Sequence, residues 1–208
     1  MLRLLTARGV DDLVVVDGFR GDRIRDFVET NFPACACTFI RNEDYATTNN
    51  AWSLWLARRG LEDPVGPVLL LDSDIVCEAA VLDRILAAPQ PNRLGLRTRG
   101  GIGAEEMKVR LSPAGLVADL GKELPLAAAA GESVGLEVFA PDFLADLFAV
   151  LERRLLAEGR VNEFYEAAFV ETIGLGHDLA AVDLADARCL EIDTAEDLAA
   201  ARALFAAS

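Results

Sequence analysis

Val68-Leu-Leu-Leu-Asp-Ser-Asp74 is the stretch of sequence that indicates the fold. Four apolar residues in a row, bounded by Gly66-Pro67 and by acids, are typical of a strand that is covered on both faces of a parallel sheet. In open α/β sheets, ligands bind beyond the carboxyl ends of the strands, which is where Asp72 and Asp74 stand. Alternation along the strand places both carboxylates on one face, and carboxylate oxygens are ligands suited to Mg²⁺. The alternative is an ordinary turn in which Asp72 or Ser73 caps the next helix.

The composition of the 208-residue chain limits the classes of function that it can have. No apolar run reaches the ~20 residues that span a bilayer, and no apolar segment of secretory length follows Met1, so we expect a cytoplasmic protein. The length favours a single domain over residues 1–208. The net charge of −14, with only two lysines, argues against nucleic acid and anionic membrane surfaces as partners. The four cysteines lack zinc-site spacing and are expected to be reduced core residues.

Three strand–helix units follow one another in the first half of the chain. The predicted strands cover residues 12–17, 35–40 and 68–71, and repeated units of this kind fold with parallel strands and right-handed crossovers. In the second half, Ser112-Pro-Ala-Gly115 suits a type I turn between two strands of a β-hairpin. We therefore predict an α/β fold, a Rossmann-like three-layer sandwich around a mostly parallel sheet with a small hairpin insertion.

The last predicted strand, Cys189-Leu-Glu-Ile-Asp193, runs directly into a terminal helix. Thr194-Ala-Glu-Asp197 has the spacing of a capping box, so Asp193 lies between a strand end and a helix N-terminus. Asp193 is either the residue before an ordinary cap or a second carboxylate that holds Mg²⁺ together with Asp74.

An aromatic and acidic segment, Glu163-Phe-Tyr-Glu166, precedes another predicted helix. Tyr165 and Glu166 can form part of a wall that binds a cationic ligand such as a quaternary ammonium group. Aromatic residues at such positions are more often part of the core, and this alternative stays open.

Several further segments carry a resemblance through their order and spacing. They are Val14-Val-Val-Asp-Gly-Phe19, Asp22-Arg-Ile-Arg25, Asn42-Glu-Asp-Tyr-Ala-Thr-Thr-Asn-Asn50, Trp52-Ser-Leu-Trp55, Leu70-Leu-Asp-Ser-Asp74, Glu106-Met-Lys-Val109, Gly121-Lys122, Gly131-Glu-Ser-Val-Gly135, Phe164-Tyr-Glu166 and Glu191-Ile-Asp-Thr-Ala-Glu-Asp197. Taken together, they resemble nucleotidyltransferases of the phosphocholine cytidylyltransferase type. That type is part of a wider group with molybdenum-cofactor guanylyltransferase and the sugar-phosphate nucleotidyltransferases. The resemblance covers nearly the whole chain.

The resemblance implies a Mg²⁺-dependent reaction. A small phosphorylated or phosphonate acceptor attacks the α-phosphorus of a nucleoside triphosphate, with CTP expected, and pyrophosphate is released. Asp74 and Asp193 are implied to be catalytic and to hold the metal ion. Asn49, Asn50 and Asp72 are implied to lie near the nucleotide.

The acceptor is less clearly implied. Lys122 and Glu132 fall in the region that receives the acceptor phosphate in the family. Tyr165 and Glu166 favour a phosphocholine-like acceptor, while aminoethylphosphonate, inositol phosphate and sugar phosphates stay open.

One part of the family pattern has no match in this chain. Members begin with a strand, a glycine-rich loop with a basic residue, and a Pro-Lys pair, whereas Met1-Leu-Arg-Leu-Leu5 corresponds to the helix after that loop. Because such loops supply N–H groups and cations for phosphate, we expect a missing first strand and loop and severely impaired turnover. The alternatives are a shortened active enzyme, a catalytically inactive homologue that binds a ligand, or a structural protein that forms a homodimer through an exposed sheet edge.

Overall fold

A computed structural model describes residues 1–61, 64–99 and 101–205 of the chain. The strands, in chain order, are β1 (Asp12–Asp17), β2 (Ala36–Arg41), β3 (Val68–Leu71), β4 (Ile75–Cys77), β5 (Arg93–Arg97), β6 (Lys108–Leu111), β7 (Val117–Gly121), β8 (Gly131–Phe139), β9 (Ala180–Asp183) and β10 (Cys189–Glu191). The α-helices are α1 (Leu2–Thr6), α2 (Gly21–Asn31), α3 (Asn50–Ala57), α4 (Ala79–Ala87), α5 (Pro141–Glu152), α6 (Glu166–Gly174) and α7 (Ala195–Phe205). A bilayer-crossing segment, which needs a long and strongly apolar helix, is absent from the described residues.

The chain forms two compact units, and each is built from two separate segments. The first unit comprises Leu2–Val65 and Pro141–Leu175, and the second comprises Gly66–Ala140 and Gly176–Ser208, with Met1. A single domain over residues 1–208 stays a prediction.

The first unit contains the parallel pair β1–β2, in register from Asp12↔Ala36 to Asp17↔Arg41. This pairing confirms the parallel arrangement predicted for the first two strands. Helix α3 packs against β1 and α5, and α5 also packs against α6. The inward face of α5 follows helical spacing, which explains why this segment forms an amphipathic helix; its buried residues are Phe143, Leu144, Leu147, Val150 and Leu151.

The second unit is organised around β8, which is buried along its whole length. It pairs antiparallel with β3, β5 and β6, while β9 runs parallel to β5 at the sheet edge. The predicted α/β fold is confirmed, and the predicted hairpin is β6–β7. One detail differs from the expectation, because Val68–Leu71 pairs antiparallel rather than lying in a mostly parallel sheet. Side chains alternate with period two in both kinds of ladder, so the sequence pattern does not determine the strand direction.

A short antiparallel ribbon, β4–β10, completes the second unit. Its register runs from Cys189↔Cys77 to Glu191↔Ile75. Strand β10 was predicted, whereas the three-residue β4 was not. This ribbon positions the candidate site.

Candidate functional site

The β4–β10 ribbon determines where the two predicted metal-binding residues lie. Asp74 lies directly before β4, and Asp193 lies two residues after β10. The Ile192 N–H donates a hydrogen bond to the Asp74 carbonyl oxygen at 3.0 Å, so the ladder extends beyond both strands. Asp74 and Asp193 are therefore brought to the same end of the ribbon. Their catalytic role stays a prediction.

Asp72 is held close to the backbone of β8. Its N–H donates to the Gly135 carbonyl oxygen at 3.0 Å. Gly135 has a φ of +64°, and a Cβ atom at this position would lie 2.4 Å from the Asp72 Oδ2 atom. Glycine is required here because it adopts positive φ readily and leaves room for the carboxylate.

A cavity of about 210 Å³ lies beside Asp193 in the second unit. It is mainly acidic, with five carboxylate side chains and one guanidinium group. The lining residues are Arg97, Glu106, Glu132, Val134, Cys189, Leu190, Glu191, Asp193 and Asp197. Such a charge distribution favours a ligand that carries positive charge.

Glu191 reports the repulsion between the carboxylates of this region. Its pKa is raised to about 7. The main cause is that surrounding protein atoms partly shield the carboxylate from water, and the negative charges of Asp74, Glu106, Asp193 and Asp72 raise the pKa further. Glu191 as a whole is nevertheless exposed to solvent. A cation bound among these side chains would relieve the repulsion.

Carboxylates at this end of the ribbon are of the type that Mg²⁺ prefers as ligands. No group of three Asp, Glu, His or Cys side chains suited to a metal ion occurs in the part of the chain that the structure describes. Mg²⁺ is commonly held by only one or two carboxylates, and phosphates and water complete its shell. Asp74 and Asp193 can supply those two carboxylates.

Glu132 occupies the buried side of the cavity. It lies opposite Arg97 in the β5–β8 ladder, and the two side chains form an ion pair. The Glu132 side chain is 8% exposed, and its Oε2 atom has no hydrogen-bond partner in the described part of the chain. Burial raises the pKa of Glu132, while the positive charge of Arg97 opposes this shift. Glu132 therefore lines the cavity and keeps one buried carboxylate oxygen without a partner among the described residues.

Lys108, rather than Lys122, is the buried cation near Glu132. Lys108 lies opposite Glu132 in the β6–β8 ladder. Its Nζ donates to the Ala104 carbonyl oxygen at 2.6 Å and to the Lys122 carbonyl oxygen. Lys122 itself is partly exposed, directly after β7. Acceptor-phosphate binding by Lys122 and Glu132 stays a prediction.

The remaining predicted site residues lie in the first unit and support its local structure. The Asn49 side chain caps α3 by accepting from the Asn50 N–H at 2.7 Å. Asn50 Oδ1 accepts from the Tyr165 N–H at 2.9 Å. Tyr165 is 2% exposed and stacks on Phe169 with ring centroids 4.9 Å apart, and Glu166 is also buried. This packing favours the alternative in which the aromatic residues of this segment are part of the core. Contacts of Asn49, Asn50, Tyr165 and Glu166 with nucleotide or acceptor stay predictions.

The site residues predicted from the sequence do not include Arg97, Glu106 and Glu191, which are charged residues of the cavity. Glu106 and Glu191 lie within segments that carry the resemblance, so their position was available as a signal. Arg97 ends β5, and the end of a strand is where ligand-binding side chains are expected in α/β folds.

The fold is shared with nucleotidyltransferases of known structure. The inositol-1-phosphate CTP transferase from T. maritima has a TM-score of 0.75 and 16% identity, covering 94% of this chain and 76% of that chain. The CTP:phosphocholine cytidylyltransferase from Streptococcus pneumoniae has a TM-score of 0.73 and 14% identity, covering 97% and 82%. No protein-family model matches the sequence. These similarities show that the chain has the fold of nucleotidyltransferases of known structure.

Sequence similarity points to one curated protein. CMP-5'-(3-aminopropyl)phosphonate synthase of Streptomyces rubellomurinus (strain ATCC 31215) is 28% identical over 207 residues, covering 93% of this chain and 31% of the relative. The chain therefore spans about a third of the length of this relative. Together, these similarities confirm the predicted resemblance to nucleotidyltransferases of the phosphocholine cytidylyltransferase type.

Proposed function

We propose that this chain transfers a cytidylyl group from CTP to a small acceptor that carries a phosphonate or phosphate group. An acceptor oxygen attacks the α-phosphorus of CTP, the bond from that phosphorus to the bridging oxygen breaks, and pyrophosphate leaves. The observation that carries the proposal is the hydrogen bond from Ile192 to Asp74, because it brings Asp74 and Asp193 to one end of the ribbon beside the acidic cavity.

Asp74 and Asp193 would hold Mg²⁺ in this reaction. The bound ion neutralises phosphate charge and orients the triphosphate. The chain's own contribution is to hold the backbone of both residues at one end of the ribbon, so that the two side chains start close to the ion. Asp72, held over Gly135, adds negative charge to the same region.

For the acceptor, we propose an aminoalkylphosphonate. A primary ammonium group donates hydrogen bonds to carboxylates, and Glu132 offers a buried Oε2 atom without a partner in the described part of the chain. A quaternary ammonium group cannot donate and is bound best by aromatic faces. None of the described residues that line the cavity is aromatic. The curated relative is itself named as a synthase of a CMP-linked aminopropylphosphonate.

Calorimetric titration with CTP and Mg²⁺ tests the nucleotide and metal site. We expect Mg²⁺-dependent binding that weakens on the order of 100-fold in Asp74→Asn and in Asp193→Asn. Asp186→Asn is the matched control, because its side chain is 77% exposed and pairs only loosely with Arg84 at 3.7 Å. A folded protein that does not bind CTP at millimolar concentration would contradict the proposal. Self-association without nucleotide binding would favour the structural alternative instead.

Pyrophosphate release tests turnover and acceptor choice. We expect slow release with 3-aminopropylphosphonate and less with phosphocholine, and Glu132→Gln should reduce only the reaction of the amine-bearing acceptor. Propylphosphonate, which lacks the amine, is the control acceptor. Equal use of the two phosphonates would refute the acceptor assignment, and CTP binding without any turnover would identify an inactive homologue. Rapid turnover that Asp74→Ala abolishes would contradict the expected impairment.

A further inference from the structure

Cys77 and Cys189 face each other across the β4–β10 ribbon. They are direct partners in the antiparallel register, and both are buried. At the next position the Glu78 N–H donates to the Arg188 carbonyl oxygen at 3.0 Å, and at the other end of the ribbon the Ile192 N–H donates to the Asp74 carbonyl oxygen at 3.0 Å, so Glu78/Arg188 and Asp74/Ile192 are hydrogen-bonded positions of the ladder. Because the two kinds of pair alternate along an antiparallel ladder, Cys77 and Cys189 form a non-hydrogen-bonded pair.

The geometry of such a pair suits a disulfide bond. In non-hydrogen-bonded pairs the Cα atoms are ~4.5 Å apart and the side chains are at their closest. Disulfides need Cα separations of roughly 4.4–6.8 Å. In this protein the two thiols are close enough for Cys77 to raise the pKa of Cys189. The register therefore places the two cysteines at a spacing that is within the range of disulfide bonds.

We propose that Cys77 and Cys189 form a reversible disulfide bond that links β4 to β10 when the protein meets an oxidised low-molecular-weight disulfide. The thiolate of Cys189, which lines the cavity, attacks one sulfur of the small disulfide and releases one small thiol. The Cys77 thiolate then attacks the Cys189 sulfur of the mixed disulfide and releases the second small thiol. The two protein thiols are oxidised, and one small disulfide is reduced to two thiols.

The local environment sets the rate of this step. The hydrogen bond with Cys77, followed by burial, raises the pKa of Cys189 well above the usual thiol range. Thiolate is the reactive form, so oxidation is slow at neutral pH and the pair stays reduced when small thiols are abundant. The resulting bond fixes the end of the ribbon opposite to Asp74 and Asp193 and closes a long loop of the chain.

The experiment uses the protein with Cys35→Ser and Cys37→Ser, so that only the buried pair can react. After incubation with oxidised glutathione, proteolysis without reductant and mass spectrometry should show one cross-linked peptide pair containing Cys77 and Cys189. The melting temperature should rise by about 5–10 °C, given the usual effect of closing a long loop, and dithiothreitol should reverse the change. Adding Cys77→Ser should leave only a glutathione adduct and no increase in melting temperature.

Two results would overturn the proposal. One is the absence of the cross-linked peptide after prolonged incubation of the folded protein, while the same thiols react readily after denaturation. The other is a cross-link that forms without raising the melting temperature, because the bond would then not stabilise the folded ribbon.

Discussion

Gly135→Ala tests how closely the backbone of β8 and the Asp72 carboxylate fit together. An alanine at φ +64° pays about 1–2 kcal/mol for the left-handed conformation. Its Cβ would also lie 2.4 Å from Asp72 Oδ2 and 2.9 Å from Asp72 Cγ, so the carboxylate must move. Displacing a packed group in this way typically destabilises a protein by a further ~1–3 kcal/mol. We expect a total loss of about 3 kcal/mol in the free energy of unfolding.

Thermal denaturation of matched glycine variants separates the two contributions. For a chain of this size a loss of about 3 kcal/mol lowers the melting temperature by roughly 10 °C. Gly115→Ala is the control, because Gly115 also has a positive φ, +79°, but an added Cβ would have no heavy atom within 4 Å. It should lower the melting temperature by only about 4 °C. Combining Asp72→Ala with Gly135→Ala should recover part of the difference, since the contacting Oδ2 and Cγ atoms are then removed while the Cβ atom at 3.0 Å stays.

The outcome that contradicts this reasoning is a Gly135→Ala variant no less stable than Gly115→Ala. In that case Asp72 would not be constrained by the close contact with β8. A second contradicting outcome is simple additivity in the double variant, because it would show that the loss at Gly135 does not act through the Asp72 side chain.

Two further predictions concern ion pairs outside the candidate site. The Arg154 side chain is 14% exposed and forms ion pairs with Glu163 at 2.7 Å and with Glu171 at 2.8 Å. Arg154→Ala should therefore lower the free energy of unfolding by about 2 kcal/mol, and Arg154→Lys should recover only part of this loss because lysine cannot form the same forked contacts. Chemical denaturation measures the loss, and a change within experimental error would contradict the prediction. The hydrogen bonds from Arg188 lower the pKa of Glu78 below its ordinary value of 4.5. The ion pair therefore stabilises the folded state fully at a pH above 4.5, and this stabilisation is lost as the pH falls through the lowered pKa. Glu78→Gln should therefore have a lower melting temperature than wild type at pH 7, and the difference should disappear as the pH falls through the lowered pKa of Glu78; a difference that is independent of pH would be inconsistent with this origin.

Local signals in the sequence were sufficient for turns and caps. Ser112-Pro-Ala-Gly115 was predicted to form the hairpin turn, and Gly115 N–H donates to the Ser112 carbonyl oxygen at 2.9 Å. The predicted capping box is also present. The Thr194 N–H donates to Asp197 Oδ2 at 2.9 Å, and the Asp197 N–H donates to Thr194 Oγ1 at 3.1 Å. Such features involve residues close in sequence, so their chemistry is visible without the fold.

The surroundings of individual side chains were not visible in the same way. The sequence makes Tyr165 a candidate for a wall that binds a cation, but its side chain is buried against Phe169. Arg97 was not considered, although it pairs with Glu132 across two strands that are far apart in the chain. Burial and charge pairing depend on neighbours that arrive through long-range contacts, and apolar patterning alone does not identify those neighbours.

The sequence by itself determined that this is an α/β chain with acidic residues at strand ends, because strand periodicity, turns and caps are properties of short segments. Only the tertiary structure decided which strand ends meet. Strand β4 is three residues long, too short for a periodic pattern, and its pairing with β10 places Asp74 beside Ile192 and Cys77 opposite Cys189. The partner, direction and register of a strand are set by packing across the whole unit, so the candidate metal site and the proposed disulfide both emerge at the level of the fold.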